Sequence, residues 1–324
     1  MGEDTLFRLE NLTVHFKAKG RFFSPQIVHA LDGVSFRLKG DETLGLVGET
    51  GSGKSTIART LIKLVEPTGG RIYYDGTPLE NIKNDLLKRF RKEVQMVFQD
   101  PYESLFPRHT IRKILETPLR VNRIVGREEY ASEITDMLEM VRLDSSVLDK
   151  RPKELSGGMR QRVSIARALA VRPKFVILDE PVSMLDVSIK ASIINLLSDL
   201  KKERRIAYLY ISHDLASAKY ISDRLAILYL GKIAEIGTPE ELLESPSHPY
   251  TKLLLDSIFD IKRAASSGTD VLRYGEIGST LRPPSGCRFH PRCPFATQEC
   301  RESEPPEVRF SDTHSAACFH PVGR

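Results

Sequence analysis

Apolar residues recur in short runs that predict β-strands near the start of the chain. The segments "LFRLENLTVHF" (6–16) and "HALDGVSFRL" (29–38) nearly alternate apolar and polar positions, which is the period of a half-buried strand. The run "TLGLVGE" (43–49) is almost continuously apolar, as in a fully buried strand, and "STIARTLIKLV" (55–65) follows it with helical spacing. A strand, a turn and a helix are therefore expected in direct succession over residues 43–65.

The rest of the chain alternates between helical and strand patterns as far as about residue 245. Residues 101–160 have apolar positions at intervals of three and four, which predicts helices. A second buried strand, "FVILDE" (175–180), precedes a long amphipathic helix, and "RLAILYLGKIAEIG" (224–237) is typical of a hairpin. Strands alternating with helices predict an α/β fold with a mainly parallel sheet.

Composition and charge restrict the function only weakly. The 324 residues include 48 basic and 43 acidic side chains, a net charge of +5 that selects no class of partner. No run of eighteen apolar residues occurs, and the first residues lack the apolar core of a signal peptide. We therefore expect a cytosolic protein whose four cysteines are reduced.

A phosphate-binding loop is predicted where the buried strand meets the helix. The segment "GETGSGKST" (48–56) fits the pattern G-x-x-x-x-G-K-[ST], in which backbone N–H groups and a helix N-terminus surround phosphate oxygens. Lys54 supplies a full positive charge, and the Ser55 hydroxyl can bind Mg²⁺. The candidate ATP-binding residues of the loop are Gly48, Glu49, Thr50, Gly51, Ser52, Gly53, Lys54, Ser55 and Thr56.

Two acidic residues end the second buried strand and complete the predicted chemistry. Asp179 is expected to hold the Mg²⁺ shell, and Glu180 is placed to polarise an attacking water. Together with the phosphate loop, this pair predicts a P-loop NTPase.

Four further motifs occur in a fixed order around these two. They are "VFQDP" (97–101), "LSGGMRQR" (155–162), "SMLD" (183–186) and "ISHD" (211–214). With them, residues 6–245 resemble the ATP-binding subunits of ABC transporters. The resemblance implies a P-loop NTPase with a RecA-like core, an antiparallel β subdomain and an α-helical subdomain over about 101–160. The expected domains are a nucleotide-binding domain over 1–245 and a small cysteine-containing C-terminal domain over 246–324.

The resemblance also implies how two such subunits share ATP. They act as head-to-tail dimers with two nucleotides between them, so Ser156, Gly157 and Gly158 would bind the γ-phosphate of the partner's nucleotide. Asp186 would couple the two sites across the interface. Phe16 lies where this family stacks an aromatic ring on adenine.

Two more side chains are expected to act at the γ-phosphate. Gln99 would complete the Mg²⁺ and water shell and sense the transmembrane partner, and His213 would contact the γ-phosphate and hold the attacking water with Glu180. Near Gln99, the apolar residues Tyr102, Leu105 and Phe106 are candidate anchors for that partner, or else pack within the helical subdomain.

Two C-terminal segments narrow the resemblance. "SPSHPYTKLLL" (245–255) and "PPSGCRFHPRC" (283–293) are similar to oligopeptide/dipeptide importer ATPases, in particular to the F-type member of their heterodimeric pair. This implies a sibling ATPase, two permease subunits and an extracytoplasmic substrate-binding protein as partners, with no nucleic acid, at the cytoplasmic face of the cell membrane. The cargo would be a peptide or, alternatively, an oligosaccharide. A non-transport ABC ATPase is disfavoured by the single cassette and the lack of heptads.

All four cysteines lie in the last forty residues, in a segment too poor in apolar residues to form a core. Cys287, Cys293, Cys300 and Cys318 are spaced C-x5-C-x6-C-x17-C, whereas structural zinc sites more often have closer pairs. Two interpretations of the cysteines therefore stay open. One is a zinc site, with histidines such as His290, His314 or His320 as alternative ligands, and the other is a set of free thiols. Members of the resembled subfamily bind a [4Fe–4S] cluster through C-terminal cysteines, and all four positions fit that set.

Overall fold

The structure, a computed structural model, describes residues 5–19, 25–256 and 278–322. The chain divides into two compact units, which are described separately. The phosphate-loop unit comprises Leu6–Leu38, Leu44–Gly76 and Ser212–Arg324, and the helical unit consists mainly of Lys39–Thr43 and Thr77–Ile211.

Three strands of the phosphate-loop unit form one sheet. They are β1 (Thr5–Lys19), β2 (Pro25–Lys39) and β4 (Gly69–Tyr74), which pair in the order β2-β1-β4 with β1 antiparallel to β4. The strands expected at 6–16 and 29–38 are thus confirmed, but both are longer than predicted. They extend into the basic, aromatic stretch that lies between the two predicted strands, "KAKGRFFSPQ" (17–26). Within that stretch, residues 20–24 lie outside the described residues.

A second group of strands in this unit includes the C-terminal segment. Its order is β11-β12-β10-β9-β3, formed by β11 (Glu307–Arg309), β12 (Ser315–Ala317), β10 (Lys232–Gly237), β9 (Arg224–Tyr229) and β3 (Thr43–Val47). Strands β3 and β9 are parallel, and β9 and β10 form the expected antiparallel hairpin. The two C-terminal strands therefore extend the sheet at β10.

The phosphate-loop unit contains five α-helical stretches among the described residues. They are α1 (Lys54–Leu61), α8 (Leu215–Ile221), α9 (Pro239–Glu244), a helical stretch over 249–256 (α10) and α11 (Gln298–Glu302). Asp214 caps α8 by accepting hydrogen bonds from two backbone N–H groups. Thr238 and Glu241 form a reciprocal capping box at α9.

The start of α10 is fixed by a buried histidine. The His248 side chain is 3% exposed, and its Nδ1 accepts a hydrogen bond of 3.0 Å from the backbone N–H of Tyr250. Burial lowers the pKa of His248 to about 4, so the ring is neutral and keeps this acceptor at physiological pH. Tyr250 is thereby held in a defined position at the first turn.

The helical unit contains a set of parallel strands. Strands β6 (Val94–Val97), β7 (Phe175–Asp179) and β8 (Ala207–Ser212) pair in parallel, and β7 and β8 are buried along their whole length. A short strand, β5, covers Thr77–Pro78. The helices are α2 (Asn84–Glu93), α3 (Pro101–Ser104), α4 (Ile111–Asn122), α5 (Tyr130–Met140), α6 (Gly157–Leu169) and α7 (Val187–Arg204).

The helical periodicity of residues 101–160 is confirmed by burial. The positions on which the prediction depended are all in the core, namely Leu115, Leu119, Ile134, Met137, Leu138 and Val141. Full burial of such side chains stabilises the fold by about 1.5–3 kcal/mol each. In the part of the chain that the structure describes, no helix is both long and apolar enough to cross a membrane. The domain boundary at residue 245 stays a prediction.

Candidate functional site

The phosphate loop connects β3 to α1 and closes around the ammonium group of Lys54. This side chain is 5% exposed, and Nζ donates to the carbonyl oxygens of Gly48 at 2.7 Å and Glu49 at 3.0 Å. Gly51 and Gly53 have φ angles of 82° and 108°, a left-handed conformation that other residues adopt only with strain. Glycine at these two positions allows the turn that aligns backbone N–H groups at the start of α1.

The loop also passes very close to strand β9. A Cβ at Gly48 would lie 2.1 Å from the carbonyl oxygen of Leu228 and 2.9 Å from the Ser52 hydroxyl. Because the first of these is a backbone atom of a buried strand, it cannot move aside. Gly48 is therefore required by packing against β9.

Two side chains that the sequence analysis did not assign to the site contact Glu49 in the loop. The Glu49 carboxylate forms a bidentate ion pair with Arg292, with Nη1–Oε2 at 2.8 Å and Nη2–Oε1 at 3.1 Å. The Glu49 backbone N–H donates to the Tyr250 hydroxyl at 3.1 Å. Both partners lie in the segments that indicated the subfamily, "SPSHPYTKLLL" and "PPSGCRFHPRC", and that pattern was their one sequence signal.

In the helical unit, the structure brings together two of the three predicted catalytic residues. Gln99 Nε2 donates to Glu180 Oε2 at 3.0 Å, and Asp179, which precedes Glu180 at the end of β7, is 5% exposed. Glu180 has a φ of 46°, which is uncommon for a residue with a side chain, and its N–H donates to Ile211 O at 3.0 Å. Backbone strain of this kind is concentrated at functional sites.

The signature motif is packed against the loop that contains Asp186. Ser156 caps α6 by accepting a hydrogen bond from Met159 N at 3.3 Å, so its hydroxyl hydrogen stays available for a ligand. A Cβ at Gly158 would lie 2.7 Å from Ile189 Cγ2, and one at Gly157 would lie 3.2 Å from Leu185 Cδ2. The two glycines allow the start of α6 to approach the residues on either side of Asp186.

Exposed apolar side chains surround these motifs in the helical unit. Met184 and Val187, which flank Asp186, are 67% and 83% exposed. Of the three candidate anchors for a membrane partner, Tyr102 and Phe106 are exposed, whereas Leu105 is buried in the unit. Leu105 therefore packs within the helical unit, which is the alternative to its being an anchor for the membrane partner.

The remaining predicted residues lie in the phosphate-loop unit. His213 is exposed at the end of β8, directly before the Asp214 cap of α8, and Phe16 on β1 is 39% exposed. Exposure of an aromatic ring is compatible with stacking on a base, and the roles of His213 and Phe16 stay predictions.

The four cysteines line a single small cavity. The cavity is bounded by Cys287, Cys293, Cys300 and Cys318, by the rings of Phe289, Phe295 and Phe319, and by His248, His290, His320 and Pro249. Burial raises the pKa of the Cys287 and Cys293 thiols and raises that of Cys318 to about 12. As free thiols they are poor nucleophiles at neutral pH.

A closer grouping of candidate ligand atoms lies elsewhere in the same unit. Among the described residues, the group His15, His29 and Asp32 is the one set of three or more candidate ligand atoms that lie within 4.8 Å of one another. Asp32 in that group already binds Arg288 through Oδ2 at 2.5 Å, and it also contacts both histidines. We interpret this group as an ion-pair network that attaches Arg288 to β2.

Comparisons with known protein families agree with both resemblances found in the sequence, the general one to ABC transporter ATPases and the narrower one to oligopeptide/dipeptide importer ATPases. Residues 31–183 match the family described as "ABC transporter", and residues 234–300 match "Oligopeptide/dipeptide transporter, C-terminal region". The chain is 42% identical to the oligopeptide transport ATP-binding protein AppF of Bacillus subtilis, over 98% of this chain and 97% of that protein. It is also 42% identical to the oligopeptide transport ATP-binding protein OppF of Escherichia coli, with the same shares covered.

Solved structures are similar over the cassette region. A dimeric, post-hydrolysis state of the ATP-binding cassette MJ0796 bound to ADP and Pi is 30% identical, with a TM-score of 0.64 over 72% of this chain and 98% of that one. The cbiO1 subunit of the cbiONQ transporter from Clostridium perfringens is 26% identical, with a TM-score of 0.65 over 81% of this chain and all of that one. The predicted P-loop NTPase fold is confirmed.

The close approach at Gly48 gives a direct test of the loop. Gly48→Ala should weaken ATP binding by at least about tenfold, because the methyl group displaces the loop from β9. Fluorescent ATP-analogue titration of the purified chain measures this change.

Gly76→Ala is the matched control, because a Cβ there meets no atom within 4 Å although φ is 73°. It should lower stability by about 1–2 kcal/mol through strain alone and leave ATP affinity intact. Unchanged affinity in Gly48→Ala would contradict the packing argument.

Proposed function

The chain belongs to the ATP-binding subunits of oligopeptide/dipeptide ABC transporters, and from that premise we propose that it hydrolyses ATP to drive import of di- and oligopeptides. The observation that carries the proposal is the pair of family matches on one chain, a cassette followed by the oligopeptide-type C-terminal region. The named function of relatives such as AppF and OppF, similar over nearly their full length, supports a peptide as cargo and disfavours an oligosaccharide.

The phosphate loop provides the groups that would bind a nucleoside triphosphate. Its backbone N–H groups and Lys54 would neutralise the β- and γ-phosphates. Ser55 and Asp179 offer hydroxyl and carboxylate oxygens, the hard ligands that Mg²⁺ prefers, and Gln99 would complete its shell. Bound there, Mg²⁺ would neutralise charge on the phosphates.

Glu180 is the proposed general base. Water attacks the γ-phosphorus in line, the bond from that phosphorus to the β–γ bridging oxygen breaks, and ADP and inorganic phosphate are released. Glu180 would take the proton of the water, held in position by Gln99, while His213 would orient the same water. The hydrogen bond between Gln99 and Glu180 and the strained backbone at Glu180 support this assignment.

A second ATPase subunit is needed to complete the reaction. Ser156, Gly157 and Gly158 would bind the γ-phosphate of the partner's nucleotide, with Asp186 in the interface. The exposed Met184 and Val187 beside Asp186 support a contact surface there. We assign that partner as a sibling ATPase, which gives a heterodimer.

The membrane partners are proposed on the same basis. Two permease subunits would contact the helical unit near Gln99, where Tyr102 and Phe106 are exposed apolar groups. An extracytoplasmic binding protein would deliver the peptide. The subunit would then act peripherally at the cytoplasmic face of the cell membrane, and nucleic acid has no part in this function.

The cysteine cavity is proposed to hold a [4Fe–4S] cluster. Four cysteines bound this one cavity, which matches the ligand count of such a cluster, whereas their C-x5-C-x6-C spacing lacks the close pairs of most structural zinc sites. In a four-iron cluster each of the four thiolates would bind a different iron. Bound there, the cluster would crosslink four positions of a segment that lacks its own core.

Peptide-dependent ATP hydrolysis tests the proposed function. The chain, its sibling ATPase and the permeases from neighbouring genes are reconstituted in proteoliposomes with the binding protein. A mixed di- to pentapeptide library should raise ATP hydrolysis by about tenfold or more. The reason is that delivery of a peptide to the permeases would favour closure of the ATPase dimer. Stimulation by cello-oligosaccharides but not by peptides would overturn the cargo, and no stimulation by either would overturn transport.

Glu180→Gln should lower ATP hydrolysis in that complex by at least about a hundredfold, because the amide cannot accept the proton of the attacking water. ATP affinity should be kept, so the variant complex should retain bound ATP. Glu139→Gln changes an exposed glutamate of the same unit and should hydrolyse ATP normally. Undiminished hydrolysis in Glu180→Gln would exclude Glu180 as the base.

Anaerobic purification tests the cluster. The wild-type chain should be brown and contain about four iron and four acid-labile sulfide atoms, and Cys300→Ser should lose both. His320→Ala, which alters a cavity residue that is not a proposed ligand, should keep them. A colourless wild-type chain with one zinc ion would contradict the proposal.

A further inference from the structure

The phosphate loop is held at Glu49 by two residues from the last third of the chain. Arg292 binds both carboxylate oxygens of Glu49, at 2.8 and 3.1 Å, and Tyr250 accepts the Glu49 N–H at 3.1 Å. All three residues belong to the phosphate-loop unit, although Tyr250 and Arg292 follow Glu49 by 201 and 243 positions. One loop residue is therefore fixed through its side chain and its backbone at once.

These contacts are shielded from water. The Arg292 side chain is 7% exposed, the Glu49 side chain is 22% exposed, and Tyr250 is fully buried. A bidentate guanidinium–carboxylate pair fixes both partners in direction as well as distance. Its attraction is screened much less here than that of a surface ion pair.

An aromatic cluster holds both contacting groups in place. The rings of Tyr229, Tyr250 and Phe289 pack with centroids 4.6, 5.3 and 5.4 Å apart. The Arg292 guanidinium lies 5.7 Å from the centroids of Tyr229 and Phe289, and Nη1 donates to the Tyr229 hydroxyl at 3.4 Å. The groups that hold Glu49 are thus preorganised by packing.

The charge of Glu49 gives this arrangement a consequence for ATP. Glu49 is the second residue of the loop. Its carboxylate is therefore next in the chain to the backbone N–H groups that would bind phosphate. An unpaired negative charge there would repel the triphosphate, and the repulsion would be greater for ATP than for ADP. Arg292 removes that repulsion by neutralising the carboxylate.

We propose that Arg292 and Tyr250 are positioning residues for nucleotide binding. By holding Glu49 they set the backbone of the phosphate loop and neutralise its one carboxylate, so that the loop binds ATP well only while residues 287–293 are folded. The proposal rests on ATP occupying the phosphate loop. It does not depend on which metal, if any, the adjacent Cys287 and Cys293 bind.

Arg288 provides a matched control within the same segment. Arg288 directly follows Cys287, just as Arg292 directly precedes Cys293. Arg288 forms a similarly buried ion pair with Asp32, and the two side chains are 11% and 14% exposed. Asp32 lies on β2, outside the loop. Loss of this pair weakens the attachment of the segment without exposing a charge in the loop.

The test compares ATP and ADP affinities of full-length variants by fluorescent-analogue titration. Arg292→Gln should weaken ATP binding by about tenfold and ADP binding by less, because the unpaired Glu49 carboxylate repels the γ-phosphate. Arg288→Gln should weaken ATP binding less than Arg292→Gln does, because the carboxylate that it leaves unpaired, Asp32, lies outside the loop. Equal losses in both variants, or no loss in Arg292→Gln, would overturn the proposal.

A double variant separates charge from folding. In a Glu49→Gln background the carboxylate is absent, so Arg292→Gln should have little further effect, and the double variant should bind ATP more tightly than Arg292→Gln alone. If Arg292 only maintained the fold, the double variant would bind as poorly as Arg292→Gln or worse.

Tyr250→Phe keeps the ring packing and removes one hydroxyl, so it tests the backbone contact with little risk to folding. It should raise the KM for ATP by about fivefold or more, since the Glu49 N–H loses its partner, with kcat nearly unchanged in the reconstituted complex. An unchanged KM would exclude Tyr250 as a positioning residue.

Hydrogen exchange measures the coupling in the reverse direction. Because linkage is reciprocal, ATP should slow exchange of backbone amides over residues 287–293 in the wild type, and the slowing should be lost in Arg292→Gln. A wild-type chain that binds no ATP would contradict the proposed function itself. Normal ATP binding without protection of 287–293 would contradict this inference alone.

Discussion

The fold depends on how closely the phosphate loop can approach strand β9. Gly48 lies where any side chain would overlap the Leu228 carbonyl oxygen, and β9 is in turn paired in parallel with β3, the strand that leads into the loop. The loop itself has almost no apolar side chain to pack, so its shape comes from these backbone constraints and from the Lys54 ammonium inside it. A loop built in this way is fixed by packing at Gly48, and its next residue, Glu49, is fixed by contacts with Tyr250 and Arg292.

Local sequence patterns were sufficient for the strands and helices next to the phosphate loop and for the helices of the helical unit. The strand–loop–helix arrangement at 43–65 followed from a buried run, glycines and helical spacing, and the pairing of Gln99 with Glu180 agrees with their motif roles. These features depend on interactions within a motif or on chemistry that few residue types can perform. The extension of β1 to Lys19 was missed because lysine and alanine, which occupy residues 17–19, are depleted in strands.

Contacts between distant segments could not be derived from the same patterns. Nothing in the spacing of Tyr250 or Arg292 indicates Glu49, because the chain must first bring β9, α10 and the cysteine segment together. The two C-terminal strands were missed for a related reason: each has three residues, and β12 exists because β10 offers an edge to pair with. Short strands of this kind have no sequence signal of their own.

The cysteine segment shows why such long-range contacts affect function. It has too few apolar residues for a core of its own, so its order must come from bonds to other parts of the unit. Two of its arginines, Arg288 and Arg292, form buried ion pairs with Asp32 and Glu49. Phe289, which lies between them in the sequence, packs in the aromatic cluster with Tyr229 and Tyr250. Since Glu49 belongs to the phosphate loop, the free energy that orders this segment is shared with the loop. Whatever stabilises the four cysteines therefore also favours the loop conformation that binds ATP, and bound ATP favours an ordered segment to the same extent.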